Sequence, residues 1–314
     1  RFDMLMGIDE IHPLLRVQRF LNDNNLSKEF LIQDFVNYSS LQEDQSRRFL
    51  MWLAAEGFII YNSTTGKVYV KDRLERYIAA KSKKRDYDVI NFLSQEPKNN
   101  KNAVLNLNSM ELTINGVNEV YVSDVRDVIA VPRNRKIVVK EGRDFSMSGQ
   151  LIAGDGGRFR INCESIDFDY EDFKMYFKDA TTEIWVPNNQ GIYDERGELA
   201  LERLESEITI ANGELLVDTN INKSGIWKDD FPQYPIIRSY DRSKVYYDQA
   251  EIFSGVYKRD NFFFEVDPFE IDSLDTYTRE SLSFPGDFYS ADIFPSFREE
   301  LRVQKDNALG FVIK

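Results

Sequence analysis

The spacing of apolar residues changes near residues 97–101, and this change most constrains the fold. Before it, apolar residues recur every three or four positions as in helices, whereas after it they alternate with polar residues as in strands. The charge changes as well: residues 1–98 carry 15 Lys and Arg against 14 Asp and Glu, and the remainder carries 25 against 39. We therefore predict an α+β multidomain protein, with a small helical domain followed by a larger antiparallel β-rich region.

Composition and turn signals divide the chain into three expected regions. Residues 1–97 form a helical domain with a basic C-terminal helix, residues 98–190 a β-rich domain, and residues 191–314 a second β-rich region that is aromatic and acidic. Short alternating strands separated by turns at intervals of about 8 to 12 residues favour a sandwich or an irregular solenoid. One further helix is predicted over residues 198–207, from the spacing of its leucines.

The first region predicts three helices, a hairpin and a fourth helix. The first helix follows Pro13, the second begins after a Ser27 N-cap, and the third covers residues 41–56. Alternating apolar residues around a polar loop with a glycine predict the hairpin over residues 58–70. The fourth helix is expected over residues 72–93.

This order of elements resembles a winged-helix domain over about residues 10–72. In that family the third helix enters the major groove of DNA. Here the third helix carries Arg47 and Arg48 but begins with Glu43 and Asp44, whose charge would repel phosphate. These charges therefore favour a winged helix that packs or docks onto protein over one that reads DNA.

A set of basic residues in the first region forms a candidate contact face. Its partner would be nucleic acid, a phospholipid headgroup or the acidic part of this chain, although charge runs are also typical of solvated helix faces. A pI of about 4.8 argues against nucleic acid as the main partner. The candidate residues are Arg47, Arg48, Lys81, Lys83, Lys84 and Arg85.

The best candidate metal site is a calcium loop formed by Asp218, Asn220, Asn222 and Asp229. Alternate oxygen ligands followed by a distal acid resemble an EF-hand loop, which implies calcium as the bound ion. Lys223 stands where that loop has its glycine, and a polar turn after a strand explains the same residues. Apart from this loop, the sequence predicts no cofactor.

Catalytic patterns are scarce. His12 and Cys163 are the only residues of their types, which leaves no triad and no zinc set. Carboxylates cluster over residues 167–172 and 267–275, and a pair of them is the basis of one alternative function, a carbohydrate-active hydrolase.

The favoured function is a non-enzymatic scaffold or protein-interaction component of a larger assembly. The alternatives are the hydrolase and a DNA-binding regulator that uses residues 10–90. The β-rich region, with its many Asn, Asp, Tyr and Phe residues, is similar in composition to large envelope-associated proteins of Bacteroidota, which favours the bacterial cell envelope over the cytoplasm. No apolar run reaches the length of a membrane span, and the first and last residues suggest a fragment of a longer protein. The expected partners are other proteins or missing parts of the same chain, with glycan as a further candidate.

Overall fold

The chain divides into two compact units, residues 1–87 and 88–314, which we call unit 1 and unit 2. Both β-rich regions expected from the sequence, 98–190 and 191–314, fall within unit 2. The computed structural model describes residues 12–39, 41–82, 84, 86, 90–96, 100–195, 197–249 and 253–312.

Within its described residues, unit 1 contains four helices and one three-stranded sheet. The helices are α1 (Pro13–Asp23), α2 (Ile32–Tyr38), α3 (Glu43–Ala55) and α4 (Asp72–Lys81). The strands are β1 (Glu29–Leu31), β2 (Ile59–Asn62) and β3 (Lys67–Val70), paired antiparallel in the order β1–β3–β2. Each described helix falls short of the length and apolarity that a bilayer-spanning helix needs.

Unit 1 is held together by an apolar core rich in aromatic rings. Phe20 on α1 meets the rings of Phe30 and Phe35 edge-on, with centroids 4.9 and 5.3 Å away, and Phe35 stacks on Phe49 of α3. These contacts join α1, β1, α2 and α3. Aromatic pairs in such geometries stabilise a core beyond their buried area alone.

Two boundaries in unit 1 differ from the sequence prediction. The helix expected after Ser27 begins instead at Ile32, because residues 29–31 pair with β3 and place Phe30 opposite Val68. The fourth helix ends at Lys81 rather than near residue 93. At residues 29–31, and at residues 91–94 of the expected fourth helix, strand pairing outweighs a local helix signal.

Unit 2 is an antiparallel β structure, which confirms the β-rich prediction. Every described pairing between its strands is antiparallel, including the 10-residue register between the two longest strands. The strands are β4 (Asn91–Ser94), β5 (Ala103–Asn106), β6 (Glu111–Asn115), β7 (Val117–Ser123), β8 (Val128–Pro132), β9 (Lys136–Val139), β10 (Phe145–Ala153), β11 (Phe159–Asp169), β12 (Lys174–Pro187), β13 (Leu201–Arg203), β14 (Ile208–Leu216), β15 (Ile236–Ser239), β16 (Ser243–Tyr246), β17 (Phe262–Val266), β18 (Glu270–Ile271), β19 (Ser283–Ser290), β20 (Phe297–Val303) and β21 (Leu309–Gly310).

The sheet of unit 2 is arranged around the long strands β10, β11, β12 and β14, which pair in that order. The other edge of β10 pairs with both β8 and β9, and the other edge of β14 pairs with both β15 and β16. From β16 the ladder continues through β17, β19 and β20 to β21. Most strands therefore pair with strands close to them in sequence.

Alternation of burial along the strands positions the core of unit 2. In β10 every second residue from Phe145 to Ala153 is buried, and the residues between them are half-buried. This is the period expected for a sheet that buries one face more deeply than the other. The helix predicted over residues 198–207 is wrong: residues 201–203 form β13, which pairs with β12 and places Arg203 opposite Trp185.

Candidate functional site

The predicted basic residues are distributed over two helices of unit 1. Arg47 donates hydrogen bonds to Glu43, 2.6 Å from Nη2 to Oε1, and to the Tyr61 hydroxyl at 3.0 Å. Arg48 is exposed on α3, and Lys81 is exposed at the end of α4. The carboxylate of Glu43 therefore neutralises the charge of Arg47 on the same helix.

The remaining basic positions follow α4. Lys84 is exposed, while Lys83 and Arg85 lie outside the described residues. Elsewhere in unit 1 the Lys28 ammonium pairs with Asp72 on α4. The described part of this unit therefore mixes cations and anions on its surface, which weakens the field that phosphate binding requires.

An arginine contacts the predicted calcium loop. Asp218 is buried, and its Oδ2 accepts hydrogen bonds from Arg126 Nε at 2.6 Å and from Asn222 Nδ2 at 3.1 Å. The Oδ1 of Asn222 accepts from the Trp227 amide at 2.9 Å. Asp218 and Asn222 are therefore brought together, and the guanidinium provides the positive charge beside the carboxylate.

The other two predicted ligands are not joined to this pair. Asn220 lies within a turn in which the Asn222 amide donates to the Thr219 carbonyl, and Asp229 lies in a short 3-10 turn after Trp227. Within the part of the chain that the structure describes, no group of three or more His, Cys, Asp or Glu side chains is placed to hold a metal ion.

Arg126 is the residue that sequence reasoning missed here. It is fully buried, and besides Asp218 it donates to the carbonyls of Phe231 and Tyr234 at 2.8 and 3.1 Å. It thereby ties the loop between β14 and β15 to the turn between β7 and β8. Since these contacts span 92 to 108 residues of sequence, no local motif announces them.

Most predicted carboxylates with described contacts are held by cations. Asp267 accepts from Arg298 and from Arg242, and the Arg298 hydrogen bond lowers the pKa of this carboxyl. In the other cluster, Asp167 Oδ1 lies 2.9 Å from the Lys140 ammonium. A carboxyl held ionised in this way is poorly suited to act as a general acid near neutral pH.

One carboxyl, that of Asp127, has a raised pKa rather than a lowered one. Partial burial, together with the nearby charges of Asp155 and Asp275, raises the pKa of Asp127. The Asp127 side chain is nevertheless largely exposed, so that water screens these interactions. Asp275 is also engaged, since its Oδ2 lies 3.0 Å from Lys228 Nζ.

The two unique residues are structural. His12 caps α1: its Nδ1 accepts a hydrogen bond from the Leu14 amide at 3.3 Å, and burial together with Lys81 lowers its pKa. Cys163 is buried in β11, where burial raises the pKa of its thiol to about 12. A thiol in this environment is unreactive.

The outward face of the sheet in unit 1 is a candidate recognition surface. Leu31, Ile60 and Tyr69 are exposed there and line a groove of about 400 Å³. Strand register places Tyr69 between Glu29 and Ile60 on the neighbouring strands. We call this groove the unit 1 sheet face; sequence alternation marks its outward residues on β2 and β3, whereas Leu31 joins them only through the pairing of β1 with β3.

A functional proposal for this protein is based on the geometry described above, because comparisons with known proteins supply no relative. A scan of protein-family models and a search of curated proteins find no match to the sequence.

Proposed function

We propose that this protein is a non-enzymatic interaction component of a larger assembly and that it docks another protein on the unit 1 sheet face. The observation that carries the proposal is the exposure of Ile60, at 55 %, in a groove that it shares with Leu31 and Tyr69. Adjacent exposed apolar side chains with charged neighbours are typical of protein contact sites. The charged neighbours are Glu29, Asp34 and Lys67.

The order of elements supports a winged-helix assignment for unit 1. The chain runs α1–β1–α2–α3–β2–β3. The strands β2 and β3 form a hairpin, and β1 pairs with β3 as the third strand of the sheet. In this assignment α3 is the helix that would face DNA. The acids at its start and the Arg47–Glu43 ion pair support a protein partner over a nucleic acid.

The test compares capture by the intact protein with capture by two charge variants. Ile60→Lys places a charge in the groove, and Met51→Lys is the matched control, because Met51 is 58 % exposed but lies on α3. Affinity capture from fractionated lysate of the source cell, followed by mass spectrometry, is expected to recover a defined set of proteins. Ile60→Lys should lose this set at least tenfold, and Met51→Lys should retain it.

Two results would overturn the proposal. Equal recovery by both variants would remove the sheet face as the docking site. Recovery of nucleic acid that is lost with Arg48→Glu and falls steeply with salt would support the regulator instead. Circular dichroism of each variant checks that unit 1 remains folded.

A further inference from the structure

The terminal edge of the sheet in unit 2 is formed by β4 and β5. Both strands flank the same side of the run from β6 to β7: Ser94 lies opposite Val117, and Ala103 lies opposite Ile114. The other side of that run pairs with β8 and β9. Among the described strands, β4 and β5 are therefore the last on this side of the sheet.

The backbone of β5 presents hydrogen-bonding groups to solvent. The Asn115 amide donates to the Asn102 carbonyl at 2.8 Å. This bond shows which alternate residues of β5 direct their backbone groups toward β6. In an antiparallel ladder, alternate residues direct both their N–H and their C=O away from the neighbouring strand. Ala103 and Leu105 are the outward residues of β5.

The side chains of this edge leave it open to pairing. All four residues of β5 are exposed, with Leu105 at 49 %, and Leu107 beyond them is 75 % exposed. The run from Asn102 to Met110 contains no charged residue and no proline. Natural edge strands usually carry charges, prolines or bulges that prevent strand addition, and β5 has none of these.

The opposite end of the sheet is protected. Beyond its pairing with β19, β20 meets β21 at only two positions, Arg302 and Val303. Its remaining edge carries Arg298, Glu299 and Glu300. A β20 edge is thus a poor match for an uncharged β5, which disfavours head-to-tail pairing of copies and favours a closed, symmetric pair.

We propose that two copies of this protein dimerise by antiparallel pairing of β5 with β5 about a two-fold axis. The outward groups of Ala103 in one copy meet those of Leu105 in the other, which gives two hydrogen bonds in each of two symmetric pairs. In this register Val104 lies opposite Val104 of the second copy, and Asn102 lies opposite Asn106. The proposal goes beyond the docking function of unit 1, since it uses a different surface.

Charge fits this register. The nearest charged residue, Lys101, falls opposite Leu107 of the second copy, so no like charges meet across the new pair. The net charge of −13 on each copy opposes association at long range. Dimerisation should therefore strengthen as salt rises and screens that repulsion.

Engineered cysteines test the register. Val104→Cys places two thiols in a non-hydrogen-bonded pair, where Cα atoms lie about 4.5 Å apart and a disulfide can form. Ala103→Cys is the matched control, because the two thiols would then lie diagonally, with Cα atoms about 7 to 8 Å apart. Cys163 is buried and does not interfere. Under mild oxidation, Val104→Cys should give a covalent dimer at least tenfold faster than Ala103→Cys; equal rates would overturn the proposal.

Sedimentation of the unmodified protein tests the dimer itself. Leu105→Lys should raise the dimer dissociation constant at least tenfold, whereas Ile221→Lys, at a position 60 % exposed in a loop, should leave it unchanged. A protein that stays monomeric through the millimolar range in 0.5 M salt would overturn the proposal. So would a dimer that both variants retain.

Discussion

The two units hold their chain segments in place by different means. Unit 1 joins its helices and strands around a cluster of aromatic rings, whereas unit 2 also fixes a long loop by a buried guanidinium, that of Arg126. In the apolar packing around Phe35, stability falls in small steps as contacts are removed, because each contact contributes little. In the buried ion pair at Asp218, stability falls in one large step, because removing one partner leaves the other charge uncompensated. The comparison predicts where each unit is most sensitive.

The largest expected effect is in unit 2. Arg126→Met should lower its free energy of unfolding by about 4 kcal/mol, because the buried Asp218 carboxylate loses its cation and the carbonyls of Phe231 and Tyr234 lose their donor. Denaturant unfolding followed by hydrogen exchange of β14 peptides measures the change. The double variant Arg126→Met with Asp218→Leu should recover part of the loss; a single variant that costs less than about 1 kcal/mol would contradict this account of the loop.

The next effect is in unit 1. Leu53→Ala removes a fully buried side chain of α3 and should cost about 3 kcal/mol, as is usual when a core leucine is truncated. Hydrogen exchange of α3 peptides should report the loss, while exchange in β11 stays unchanged. The exposed Met51→Ala is the control on the same helix. Coupled loss of protection in β11 would contradict the separation of the units.

The smallest effect is the pH dependence of unit 1. His12 caps α1 in its neutral form, and its pKa in the folded state is lowered by burial and by Lys81. Its contribution is therefore complete above the unfolded-state pKa of about 6.5 and decreases as the pH falls through the folded-state pKa. His12→Asn keeps a capping acceptor without a titrating group and should flatten the pH profile of α1 exchange, whereas His12→Ala should cost about 1 kcal/mol at pH 7.5. If the exchange of α1 in His12→Asn still depends on pH, another titrating group causes that dependence.

The sequence predicted the features that depend on local spacing. The hairpin of β2 and β3 was predicted from alternation around a polar loop that contains Gly66. The start of α2 and the strand at residues 201–203 were predicted wrongly, because pairing with β3 and β12 overrides helical propensity there.

The candidate sites were predictable only in part. Asp218 and Asn222 are hydrogen-bonded to each other, and the cation beside the Asp218 carboxylate is Arg126, which lies 92 residues away in sequence. The unit 1 sheet face follows from alternation once the pairing of three strands is known. That pairing depends on the long-range contact between Phe30 and Val68, which a single sequence does not reveal.

The nearest-neighbour order of strands in unit 2 also has a consequence for how the protein is made. As the chain leaves the ribosome, β11 can pair with β10, β12 with β11 and β14 with β12, so the sheet can grow by adding each new strand to an edge already present. Such growth limits the time for which any apolar strand remains unpaired. Arg126 is synthesised long before Phe231 and Tyr234, so its loop is closed only after the central strands have emerged.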